Sequence, residues 1–551
     1  MRPLLPPVTR STLLLPDDIT LLQRPSSPVA LSPDRARVVY ATVGDGLYLR
    51  ALDDRGARPI SGTEGGHTPF FSPDGRWVGF FTNEALKKVA VGGGAPLVLS
   101  TISTNTRGAT WGPDGTIVFG TQGPLFEISA SGGTPRELTT IDVERHEVAH
   151  RWPQFLPNGA GLVFTIRSSG GWGIAALSRE SGEVQRLDPL GQGIAAGFVS
   201  SGHLVFAQSD GLLAIPFDPK TLTLEGDPIS VLENVRTAGI GVPHLALSEN
   251  GSLVYVPGSQ SENRLVWADR DGASTVVSDG WGSLYNPRLS PDGSRVVVDV
   301  GNIGGGLWVY DLDRDTRTRL AEGGSYPEWH PDGTRITFLG GSLTWGNLLW
   351  KSSDGSGDIE SLTDGEFFSN GVWAPDGATM VFLQRTSSGV YDLWLLPQDG
   401  EPSPLLETPF DERAPRFSPD GRWLAYQSNA SGRMEIYVQP FPGPGQRELL
   451  SSDGGTEPMW SPDGRELFYR QLDQMMVVPI ESEPTFHAGK AQPLFDAGRF
   501  ESGFGNYTNY DVSPDGQRFL MIEAEGDSGP ARLHLVLNWA EELKRRAPVE
   551  N

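Results

Sequence analysis

The sequence predicts an all-β chain, built as tandem β-propellers of four-stranded antiparallel blades. Three observations carry that expectation. Glycine (69) and proline (44) together make about a fifth of the 551 residues, a share that short strands joined by tight turns need and helices tolerate poorly. The tetrapeptide Ser-Pro-Asp-Gly occurs intact at 72–75, 290–293, 418–421, 461–464 and 513–516. One-letter and weaker variants at 32–35, 112–115, 156–159, 199–202, 248–251, 330–333 and 374–377 extend it to twelve copies, 40 to 52 residues apart and mostly near 44. A period of about 40 to 45 residues with four strands per unit marks a propeller blade.

Each part of the repeat has a physical reason. Proline presets φ at the first central position of a type I turn, Asp bonds the local backbone, and Gly accepts the left-handed conformation that follows. The residue before the turn is apolar in every copy: Leu31, Phe71, Trp111, Phe155, Phe198, Leu247, Leu289, Trp329, Trp373, Phe417, Trp460 and Val512. Apolar runs such as RWVGFF, SRVVVDV and RWLAYQS follow, then a second strand (GLWVYDL, MEIYVQP) and a shorter one (RTRLAE, RELLSS). The four tryptophans of the set read as packing between blades rather than as sugar-stacking platforms.

Charge and composition exclude several classes. A net charge of −24 disfavours nucleic acid and anionic lipid as partners. The absence of cysteine removes disulfides, Cys-bound metals and thiol nucleophiles. No run reaches the ~20 apolar residues of a membrane span, and the proline-broken start MRPLLPPVTRSTLLLPDD does not read as a signal peptide. No membrane insertion by the chain itself is expected.

The pattern P-x-F/W-S-P-D-G followed by two apolar strands resembles the PD40 repeat of TolB-like propellers, over roughly residues 28–540. The stretches VTRSTLLLP, TPFFSPDGRWVGFF, LKKVAVGGGAPLVL, RGATWGPDGTIVFG, HRWPQFLPNG and HLVLNWAEELKR look like the sensor region that follows the kinase domain and membrane span in bacterial serine/threonine kinases. The resemblance implies an extracytoplasmic place and a signalling role. The chain has no Gly-rich loop with V-A-I-K, no H-R-D and no D-F-G, so kinase activity is not expected of it.

TolB-like propellers have six blades, so twelve repeats divide most simply into two rings. The expected organisation is an N-terminal segment 1–27 that supplies a closing strand, a first propeller over 28–280, a second over 281–540 and a helical tail over 541–551. Seven plus five blades, or one large ring, remain open on the repeat count alone. The last repeat ends in the strand ARLHLVLNW, for which TRSTLLL is placed to supply the missing partner.

Two motifs tempt an enzymatic reading. His146-Glu147-Val148-Ala149-His150 matches the H-E-x-x-H of zinc proteases, which requires both histidines on one helix face; here it runs straight into a strand. No G-x-S-x-G elbow occurs. The expectation is a non-enzymatic scaffold with no metal and no cofactor, binding a protein, peptide or small ligand; a propeller hydrolase or lyase at a channel mouth is the alternative. The innermost strand of each blade lines the channel. Two residues before the turn, the first six repeats read Ala30, Phe70, Thr110, Gln154, Gly197 and Ala246, and the last six Arg288, Glu328, Val372, Arg416, Met459 and Asp511. Four residues before, the last six give Asn286, Tyr326, Asn370, Ala414, Glu457 and Asn509. Simple alternation puts both sets on one face. The second half is therefore expected to hold a polar axial funnel for an anionic or zwitterionic peptide end, formed by Arg288, Glu328, Arg416, Glu457, Asp511, Asn286, Tyr326 and Asn370. The competing expectation is a self-paired network, with Arg288 on Glu328 and Arg416 on Glu457.

Overall fold

The computed structural model describes residues 7–548 apart from 17–18, 20, 23–25, 43–45, 55, 83, 103–105, 169–170, 209–210, 239–241, 259–262, 279, 302–305, 343–344, 364–367, 387–389, 399, 444, 483–484, 504–506 and 525–531. The side chains of 158, 196, 238, 341–342, 345, 368 and 524 also lie outside it. Each turn of the repeat becomes the hairpin between the first and second strands of one blade, so blades are numbered here by repeat, 1 to 12. In blade 7 the strands Leu284–Leu289, Arg295–Val300, Leu307–Asp311 and Thr316–Ala321 pair in that order, all antiparallel. The other blades repeat the scheme. Blades 8 and 9 are joined by one further pair, Gly346 with Phe368.

The chain divides into two compact units, residues 1–260 with 526–551, and residues 261–525. Each contains six blades among the described residues, and each closes its ring with strands distant in sequence. The sixth blade of the first unit runs Leu245–Leu247, Leu253–Tyr255, Arg532–Leu537 and Thr9–Leu14 from inside to outside. In the second unit Tyr510–Val512 and Arg518–Ala524 are completed by Asn263–Asp269 and Ser274–Ser278. The structure therefore departs from the sequence reading in two places. The division falls at 260/261 rather than 280/281, because residues 263–278 finish blade 12. The strand 532–537 belongs to blade 6 of the first unit rather than to the twelfth repeat. TRSTLLL pairs with 532–537, as its placement implied, but within the first unit.

Packing occurs between neighbouring blades. Val297, Leu307 and Val309 of blade 7 meet Trp329, Ile336 and Phe338 of blade 8. Burying each such side chain contributes about 1.5–3 kcal/mol. The tryptophans before the turns are seam residues. The indole N–H of Trp329 donates to Arg288 O at 3.0 Å, and that of Trp460 to Arg416 O at 3.1 Å, each reaching the preceding blade. The tail helix Ala540–Arg546 buries Leu543, and Arg546 donates to the carbonyls of Ser230 and Val231.

The turn chemistry holds in detail. In blade 7 Ser290 Oγ donates to Asp292 Oδ1 at 2.6 Å, the same oxygen accepts Ser294 N–H, and Arg295 N–H donates to Ser290 Oγ. Gly293 takes φ +71. These bonds, the serine hydroxyl first, hold the carboxyls of Asp34, Asp74, Asp292, Asp463 and Asp515 below the usual value, Asp292 at about 2. A carboxylate whose folded pKa is depressed stabilises the fold above its unfolded value and loses that contribution as pH falls through the folded one. The urea midpoint is accordingly expected to drop between about pH 4 and pH 2. Asp292→Asn should cost about 1 kcal/mol at pH 7 and make that acid drop shallower, both readable by urea titration.

Candidate functional site

The inner strands are not regular. Four residues before the turn the backbone is left-handed at Thr68, Trp152, Ala195, Asn286, Tyr326, Ala414 and Glu457, with φ between 48° and 59°. At the same place the register slips: Tyr285 lies opposite Asp299 while Arg288 lies opposite Val297, so three steps on the inner strand match two on its neighbour. The same bulge occurs at Ser325/Glu328, Arg413/Arg416 and Thr456/Met459. The residue between is proline in six blades (Pro69, Pro153, Pro287, Pro327, Pro415 and Pro458), and proline, lacking an N–H, belongs at bulges.

The bulge corrects the alternation argument. Simple alternation does not hold between positions two and four before the turn; the register aligns the position two before with the one five before. The residues that sequence reasoning missed are therefore Tyr285, Ser325, Arg413 and Thr456 in the second unit, and His67 and Arg151 in the first. The first unit thus also carries charge on an inner strand, at Arg151. Arg151 lies over the rings of Trp152 and Trp172, and Arg167 also lies over Trp172. The repeated proline was the signal that could have located the bulge.

At the second unit's axis the structure joins three of the expected residues. Arg288 Nε donates to Glu328 Oε2 at 3.2 Å, and Arg416 Nη1 donates to the same oxygen at 2.8 Å. Arg288 and Arg416 stand on blades 7 and 10, opposite one another in a ring of six, so the triad spans the axis. Arg288 also donates to the carbonyls of Pro287, Thr508 and Tyr510, and its side chain is 5% exposed. Burial, and then the facing Arg416 guanidinium, push its pKa down. Arg416 Nε is buried with no hydrogen-bond partner.

Glu457 sits elsewhere in the network. Its carboxylate accepts the N–H groups of Gly503 and Asn509, each at 2.8 Å, and burial pushes its pKa up. The expected Arg416–Glu457 pair is therefore replaced by Arg416–Glu328, because a left-handed Glu457 is turned toward blade 12. Asp511 accepts Leu289 N–H and Val512 N–H, and burial raises its pKa as well. Asn286 Nδ2 donates to Asp299 Oδ2 at 2.7 Å; Tyr326 N–H reaches the same oxygen at 3.3 Å, and the Tyr326 ring meets Tyr507 edge-on with centroids 4.9 Å apart. Asn370 stands apart, half-buried and accepting the Ser369 hydroxyl.

The H-E-x-x-H match forms no helix. His146 ends a short turn and Glu147–Phe155 is a strand. The His150 ring bridges Thr139 Oγ1 at 2.8 Å and Glu147 Oε2 at 3.1 Å, and Glu147 Oε1 accepts from Arg186. Among the described residues no group of three His, Cys, Asp or Glu is placed to hold a metal ion. Nor, among those residues, is any helix long and apolar enough to cross a membrane.

Fold and site together define a tandem six-bladed propeller, TolB-like in its repeat, with a charged axis in its second unit. No family model matches the chain. Curated relatives include the uncharacterized peptidase YuxL of Bacillus subtilis, 21% identical over 28% of this chain and 32% of that protein. They also include a tricorn protease homolog of Saccharolobus solfataricus, 27% identical over 18% of this chain and 9% of that protein. The chain thus matches about a third of the one relative and under a tenth of the other. Similar solved structures include a putative TolB from Agrobacterium tumefaciens (20% identity, 49% of this chain, all of that one, TM-score 0.41) and the tricorn protease (11% identity, 95% of this chain, 62% of that one, TM-score 0.31). The expectation of a chain set apart from enzymes is corrected here, since the curated relatives carry peptidase and protease names.

Removing one member of the triad tests its geometry. Glu328→Gln leaves two guanidiniums facing each other and should destabilise the chain by about 3 kcal/mol. Arg416→Met leaves the Arg288–Glu328 pair intact and should cost about 1.5 kcal/mol. Urea unfolding of the two variants checks the order.

Proposed function

We propose that this chain is the peptide-binding propeller part of a peptidase-type system, and that the axis of its second unit takes the carboxylate end of a peptide. The observation that carries the reading is the triad: two guanidiniums from opposite blades share one carboxylate oxygen, leaving one net positive charge. Arg416 Nε adds a buried donor with no partner. A terminal carboxylate brings one negative charge and two acceptor oxygens, and charge-assisted bonds to guanidinium are the strong ones. The peptidase and protease names of the curated relatives support peptide as the ligand class. The signalling role implied by the kinase-region resemblance would begin with the same capture of a chain end.

Fluorescence anisotropy with a labelled hexapeptide, its C-terminus free or amidated, tests the proposal. The free acid is expected to bind at least about tenfold tighter, a difference of about 1.4 kcal/mol, and Arg416→Met should erase that preference. Equal affinity for both forms, or a preference that survives Arg416→Met, would overturn the reading. Mass spectrometry of the same peptides after incubation reports cleavage.

A further inference from the structure

Among the described residues of the second unit, Asp299 and Asn286 form the one hydrogen-bonded pair in which both partners keep a bare buried acceptor. Asp299 lies on the second strand of blade 7 and is 8% exposed; Asn286, on the first strand of that blade, is 3% exposed. Asn286 Nδ2–H donates to Asp299 Oδ2 at 2.7 Å. The two atoms left over, Asn286 Oδ1 and Asp299 Oδ1, are both buried and neither has a hydrogen-bond partner. A lone buried acceptor costs about 1–3 kcal/mol, and two acceptors on paired side chains repel.

One proton resolves both. We propose that Asp299 is held as the neutral acid, its Oδ1–H donating to Asn286 Oδ1 to close a two-bond acid–amide pair. The paired side chains then form a latch between blades. Asp299 Oδ2 also accepts the N–H of Tyr326 in blade 8, and Asn286 N–H donates to Asn509 Oδ1 in blade 12. Three blades therefore meet on this one pair. The same two bulged strands carry Arg288 and Glu328, so the latch fixes the spacing of the axial ion pair.

The surroundings favour the neutral form. Burial is the largest effect on Asp299 and pushes it up to about 7, against the attraction of Arg288. The other titratable groups facing the pair are Tyr285 on its own blade, Tyr326 on blade 8 and Tyr507 ahead of blade 12, with Glu501 and Glu457 beyond them. Burial holds Tyr285 at about 12 and Tyr507 well above 10, so neither tyrosine titrates in the physiological range. Glu457 is also raised by burial, so the variant below is needed to separate its proton from that of Asp299.

Asp299→Asn is the decisive substitution, because an amide reproduces the neutral acid: one donor toward Asn286 Oδ1 and one acceptor for Asn286 Nδ2 and Tyr326 N–H. An acid with a raised folded pKa stabilises the fold below its unfolded value, and that contribution is lost as pH rises to the folded one. Between pH 5 and pH 7 the unfolding constant of the native chain should therefore rise relative to that of Asp299→Asn, approaching about tenfold per pH unit. Infrared difference spectra of native chain minus Asp299→Asn at pH 6 should contain a carboxylic-acid carbonyl band. Parallel pH profiles for the two proteins would overturn the proposal, as would absence of that band. A stabilisation that follows sodium or potassium concentration instead of pH would overturn it in favour of a bound cation.

Discussion

The left-handed residue in the inner strands of seven blades is the constraint on which the rest of the structure depends. A non-glycine residue at positive φ costs about 1–2 kcal/mol, and the chain accepts that cost at Thr68, Trp152, Ala195, Asn286, Tyr326, Ala414 and Glu457. What offsets it is recurrent: the N–H of the bulged residue donates to a polar side chain of the preceding blade. Tyr326 N–H finds Asp299, Glu457 N–H finds Gln427, and Ala195 N–H finds Thr165. In the closing direction Asn286 N–H finds Asn509. Ring closure and axial chemistry therefore draw on the same atoms, and a polar side chain in the channel is first of all a brace for its neighbour.

Much of the fold was legible because it is local. The turn, the apolar residue ahead of it and the strands behind it each follow from a few adjacent residues, and Asp292 and Gly293 behave as their chemistry requires. Arg288 and Glu328 were pairable from sequence because they occupy equivalent positions in adjacent repeats. Arg416 was not assignable to Glu328 by that rule, since the contact skips blade 9 and depends on the diameter of a closed ring. The role of Asp299 was hidden for a different reason. It lies on the second strand, and only the slip beside Pro287 brings it against Asn286 and Tyr326. Period-two reasoning fails wherever a bulge lies between the residues compared.

Buried charge is handled in two ways along the blades. In the first, cationic Arg151 and Arg167 are laid on the faces of Trp152 and Trp172, an arrangement that shields them with aromatic rings. In the second, guanidiniums meet carboxylates directly and several acids are pushed toward neutrality by burial. Fully satisfied buried networks fix one geometry, while a partly satisfied one leaves atoms available to a ligand or a proton. Arg416 Nε and the Asn286–Asp299 pair are of the second kind.

The path of the chain through blade 6 has a consequence for how the protein is made. Its strands are drawn from three stretches of sequence, 245–255, 532–537 and 9–14, with the whole of the second unit lying between the first two. On the ribosome, residues 9–14 emerge first and wait for a partner that is translated some five hundred residues later. At about 5–20 residues per second, the 277-residue separation of Tyr255 and Arg532 keeps the nascent first ring open for about 15 to 55 seconds, with the edge of strand Leu253–Tyr255 unpaired. The second ring has no such delay, because residues 263–278 are already out when its last two strands arrive. The half of the molecule translated first is thus the last to be sealed, and a chaperone that shields strand edges would act there.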